Sequence, residues 1–229
     1  MTTYSVDDRP ERHGRGGRAA KESAVRLFPP RQMSGLLLLV AFALNVGGVV
    51  LFTAGTAHGW AVETPAYHAW ERTLIMGSYV AAALGAAVLE PALADAGAAI
   101  LGRLAAIAFP IAATVALVME ALGLDGLFPP ALTDVAVLLL YGAGALLGAA
   151  LLTSRLVPAW VGWAAIIWNL AWPAILRTLW GVVPVVSPGD LYYPILHGIP
   201  LLLIGIPLIR PARSSNGRPP RAVVHVSSR

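Results

Sequence analysis

The 229-residue chain has no cysteine, which excludes disulfides, thiolate metal sites and thiol redox chemistry. Charge is also scarce. Asp, Glu, Lys and Arg make up 12% of the residues, against about 25% in an average soluble domain. There is no HExxH zinc motif and no Walker phosphate-binding loop, so neither a membrane zinc protease nor an ATP-driven pump is written in this chain. In place of charge there is apolar surface: 57% of residues are hydrophobic, and the mean hydropathy is +0.71. That composition defines a membrane protein. The length suits one membrane domain of about six spans with short links.

The stretch Ser34–Ala54, SGLLLLVAFALNVGGVVLFTA, carries no charge. Its length is enough to cross a ~30 Å hydrocarbon core as a helix. Residues 1–33 before it are rich in Arg and Gly and include Arg9, Arg12, Arg15, Arg18, Lys21, Arg26 and Arg31. With no apolar period, this arm reads as disordered and cytoplasmic, beside anionic lipid headgroups. Five further spans follow: Thr73–Leu89, Ile100–Met119, Asp134–Leu152, Pro158–Trp180 and Leu191–Ile209. The second is expected to stop at Glu90-Pro91, because proline disfavours helix at the residue before it. Residues 55–72 form the longest expected loop, with Pro65 as a candidate first residue of the second helix. Residues 211–229 form a second basic, disordered tail.

Charge placement gives the orientation. The arm, the tail, Arg103 and Arg155 fall on one side, leaving only Arg72 and Arg177 on the other. By the positive-inside rule both termini are cytoplasmic, in a multi-pass protein of the plasma membrane. The net charge of +4 is therefore a topology signal, and no nucleic-acid partner is expected.

The outer halves of the spans gather His58, His68, Glu71, Arg72, Glu120, Arg177 and His197. Ionisable side chains at membrane depth are costly and mark functional sites, so His197 leads this group. Glu120 and Arg177 can also pair structurally, with each other or with Glu71 and Arg72. His58, His68 and His197 with a carboxylate would suit a zinc-like ion, but no tight spacing supports one. Asn45 in the first span is expected to sit at a helix contact and make an interhelical hydrogen bond; Asn169, Pro173 and Arg177 in the fifth are four apart and line one stripe. Gly77, Ala81 and Gly85, and then Gly144 and Gly148, are small-residue spacings for close helix packing.

Other enzyme classes fail on inventory. A rhomboid-type serine protease needs a serine in the fourth span's core, and the haem of a b-type cytochrome needs paired intramembrane histidines. Neither is present. No catalytic residue and no cofactor is assigned. Pro110 and Pro200 sit centrally in the third and sixth spans, the pattern of broken helices in a secondary transporter or channel.

ERTLIMGSYVAAALGAAVLEPAL, SRLVPAWVGWAAIIW and LHGIPLLLIGIPLI together resemble six-span bacterial membrane proteins grouped under a domain of unknown function, mainly from high-GC bacteria. The resemblance covers roughly residues 34–210 and implies fold and plasma-membrane location, with no activity attached. The expectation is an all-α, polytopic bundle of six transmembrane helices. Its ligand would be small or lipidic, bound in an outward-facing polar pocket of His197, Glu120, Arg177, Glu71, Arg72 and Asn169.

Overall fold

A computed structural model describes residues 29–58, 65–124, 130–179 and 188–210. Within them the chain is all α-helical: α1 (Pro30–His58), α2 (Pro65–Asp95), α3 (Ala99–Leu124), α4 (Pro130–Ser154), α5 (Ala159–Leu179) and α6 (Pro188–Ile209). The expected arm and tail lie outside the described residues.

Proline explains where most helices begin. Pro30, Pro65, Pro130 and Pro188 are each a first helical residue, where the missing N–H would have no partner anyway and φ is already helical. Pro158 immediately precedes α5 and accepts a bond from Val161 N–H at 2.9 Å. Most of the expected 55–72 loop is consequently helix, with α1 running to His58 and α2 starting at Pro65.

Proline does not break helices here. α2 passes through Pro91 to Asp95, which corrects the expected stop at Glu90. α3 passes through Pro110 and α6 through Pro200, so the expected broken helices are continuous. Packing against neighbouring helices makes tolerable the loss of the one backbone bond that each proline removes, at Pro110 the bond to the Ala106 carbonyl.

The true stop of α2 is Gly97, with φ of 86°. Ala98 N–H bonds Leu93 O at 2.8 Å and Gly97 N–H bonds Ala94 O at 3.0 Å, the Schellman closure of a helix end. Leu93 and Ala98 are both buried beside it. A Cβ at Gly97 would meet nothing within 4 Å, so the backbone alone sets the cost of adding one. Gly97→Ala is expected to destabilise by about 1–2 kcal/mol, and Gly97→Asn by less. Thermal unfolding of the purified variants checks the order.

Consecutive helices pack as neighbours, and α1 also packs on α6, so the six form a closed ring in chain order. α4 additionally reaches α2 and α6. The α1–α2 seam is antiparallel. Ser34, Leu38, Ala41, Asn45 and Gly48 on α1 face Gly85, Ala82, Ser78, Ile75 and Glu71 on α2, and all ten are buried. This three-four spacing keeps one stripe of each helix on the other. Ser34 Oγ locks the lower end by donating to Gly85 O at 2.7 Å. At the same end Arg31 Nη2 donates to Pro207 O at 3.0 Å, a cation on the last turn of α6.

The interior is built from alanine and a few large side chains, among them Tyr79, Phe109, Leu140, Tyr141, Leu147 and Ile204. The outside is apolar. Ile100, Leu138, Leu170, Ile167 and Trp160 are all at least 59% exposed, a surface suited to lipid rather than water. Four helical segments are long and apolar enough to cross a membrane: Pro30–Leu51, Ala69–Asp95, Ala99–Gly123 and Ala131–Ser154. Ala159–Ile175 and Gly198–Ile209 are shorter apolar stretches.

Candidate functional site

The first turns of α2 and the last turns of α3 meet at one end of the bundle, because α3 runs back along α2. Glu71, Arg72, Tyr79 and Glu120 come together there. Arg72 Nη1 donates to Glu120 Oε2 across the two helices. Arg72 Nε stands 3.9 Å from Glu71 Oε1. The Tyr79 hydroxyl donates to the other Glu120 oxygen, Oε1, at 3.4 Å. Glu71 and Glu120 are each only 2% exposed and Tyr79 is fully buried, while the Arg72 side chain keeps 12% of its surface.

The sequence places these groups by helical spacing. Tyr79 follows Arg72 by seven residues, two turns on, so both lie on the side of α2 that meets α3. Glu71 lies on the adjacent stripe toward α1, where its backbone oxygen is 3.3 Å from a Cβ built at Gly48. One guanidinium thus faces two carboxylates, one on its own helix and one on the next. Charge-assisted hydrogen bonds of this kind are the strong ones, and a poorly solvated setting strengthens them further.

Of the expected pocket residues, the structure brings Glu71, Arg72 and Glu120 together. Glu120 takes Arg72 as its partner. Asn169 sits apart, on α5 where it crosses α4. Its Nδ2 donates to Ala165 O at 2.7 Å within its own helix, and its amide covers Gly144. Arg177 belongs to the last turn of α5, which packs on α4 and α6. His197 lies in the first half of α6, one residue before Gly198, which packs on Asn45 of α1. The side chains of His58, His68, Arg177 and His197 lie outside the described residues. Among the described residues no three His, Cys, Asp or Glu side chains are grouped to hold a metal ion.

Two contributors were not singled out from sequence. Tyr79 is readable as a phenol two turns beyond Arg72, followed by the small and aliphatic stretch Val80–Leu89. Ser78, 1% exposed, lies on the Glu71–Ile75 stripe that faces α1. Asn45 is fully buried at the helix contact, as expected, but its side chain has no hydrogen-bond partner among the described residues, contrary to the expected interhelical bond. Compared with protein families, curated proteins and solved structures, the chain matches none of them.

Proposed function

We propose that the chain is a six-span protein of the bacterial plasma membrane, both termini cytoplasmic, whose charged cluster on α2 and α3 binds a small or lipidic ligand from the outer side. The basic arm and tail support the orientation, through their contact with anionic headgroups. One observation carries the ligand reading: Glu71 and Glu120, both nearly fully buried, converge on the single guanidinium of Arg72. Among these three charged groups the acids outnumber the base. A ligand offering an ammonium or another strong hydrogen-bond donor complements that surplus. A zwitterionic lipid headgroup is one such ligand.

The ion pair between Arg72 and Glu120 favours a second reading, a clamp that fixes α3 on α2 with no ligand. Native mass spectrometry of the detergent-purified protein separates the two. If a ligand is bound, wild type carries a discrete extra mass, and Glu120→Gln, which keeps shape and removes charge, loses it at least tenfold. An empty wild-type spectrum, together with a lower unfolding temperature for Glu120→Gln, would leave the clamp as the function of the cluster.

A further inference from the structure

Asn45 and Ser78 make a second polar feature, separate from the charged cluster. Asn45 is 0% exposed and Ser78 is 1% exposed. Neither the Asn45 Nδ2 and Oδ1 nor the Ser78 Oγ has a hydrogen-bond partner among the described residues. Buried polar atoms at membrane depth nearly always find one, since hydrocarbon supplies none.

The seam register sets their places. Gly48 packs on Ile75 and Leu44 lies against Gly77, so Asn45 and Ser78 occupy the same level of the antiparallel α1–α2 contact. Gly198 of α6 closes the third side, where a Cβ would lie 2.8 Å from Asn45 Oδ1. Asn45 is near the middle of α1 and Ser78 near the middle of α2, about 20 Å along the axis from either helix end. Toward the charged cluster, Ile75 seats on Gly48, 2.7 Å from where a Cβ would be. This apolar layer lies between Glu71 and Ser78 on the stripe, so the two polar features are distinct.

We propose that Asn45 and Ser78 form a mid-depth binding site for a water-sized, uncharged hydrogen-bonding ligand, with water as the occupant. The donor set decides the class. A carboxamide offers two N–H groups and one acceptor, and a hydroxyl offers one donor and two acceptors. Together they satisfy a molecule that both donates and accepts. Neither residue carries charge, and a hard cation such as Mg2+ or Ca2+ takes about six or more oxygen ligands.

The chain has asparagine at 45, 169 and 216 only. Selective 15N-asparagine labelling of the full protein in detergent micelles therefore gives three side-chain amide signals. Loss of one signal in Asn45→Leu assigns it. Asn169, buried and bonded to Ala165 O, is the internal dry reference. The expected result is a magnetisation-transfer cross-peak between water and the Asn45 amide, absent for Asn169 and weakened at least threefold by Ser78→Ala. An Asn45 amide as silent toward water as Asn169 would overturn the proposal, whichever group then bonds it. So would a water cross-peak that Ser78→Ala leaves unchanged. Both readouts are independent of the charged cluster and survive failure of the ligand reading there.

Discussion

Arg72→Ala is expected to cost about 3–5 kcal/mol of stability, the range for removing one partner of a buried ion pair. The reason is what remains. Glu71 and Glu120 stay where they are, each 2% exposed, with the charge between them gone. Two like charges then share a poorly hydrated site, and the substitution leaves Glu120 Oε2 without the donor it had. The magnitude belongs to the stranded carboxylates more than to the worth of the pair, and this gives a second expectation. Arg72→Met combined with Glu71→Met and Glu120→Leu should recover most of the loss, because exchanging a buried charged triad for apolar side chains of similar volume is close to neutral. Chemical or thermal unfolding in one detergent, read by tryptophan fluorescence, measures both. If Arg72→Ala shifts stability by less than about 1 kcal/mol, the cluster behaves as a solvated surface pair. The buried-site account would then be wrong.

The cluster was half legible in the sequence. Ionisable residues near helix ends in an uncharged background single out Glu71, Arg72 and Glu120 without any structure. Which of them pair is a tertiary fact. Arg72 and Glu120 are 48 residues apart, and only the packing of α3 beside α2 joins them. Arg177 is equally eligible from its charge; its helix packs on α4 and α6, and its side chain lies outside the described residues. Tyr79 carries no signal of its own in the sequence, because its role depends on the Glu120 carboxylate that faces it.

Helix existence was legible from apolar run length, and the helix ends were less so. By its local chemistry Pro91 is a helix terminator, and the competing force there is packing. Leu89 and Leu93 on either side of Pro91 are completely buried, so continuing the helix retains more apolar contact than ending it. The stop signal actually used was the glycine six residues further on. The same weighting explains Pro110 and Pro200. A proline removes one backbone bond, but each of these helices packs against two neighbours. The small-residue spacing in α4 predicts close packing, and Gly148 does face Gly162 of α5. Sequence could not say which helix it would meet.

That glycine contact carries the last prediction. A Cβ at Gly162 would lie 2.9 Å from Leu152 Cβ and 3.0 Å from both Gly148 O and Leu152 N. Two of those three atoms are backbone, which cannot rotate away as a side-chain tip can. Gly162→Leu must push α5 off α4, and overpacking of this kind costs about 1–3 kcal/mol or more. The displacement should travel along the crossing, because two turns further on Asn169 rests on Gly144 and holds Ala165 O. Leu170→Ala is the matched control: Leu170 is 62% exposed on the outward face of the same helix, where a substitution should stay within about 0.5 kcal/mol. In unfolding experiments on both variants, the glycine substitution should be the damaging one despite adding apolar surface. In the labelled protein it should also move the Asn169 amide signal while leaving Asn45 in place. Equal, small effects of the two substitutions would mean that α4 and α5 do not approach through Gly148 and Gly162. A large loss with an unmoved Asn169 signal would confine the contact to that one crossing point.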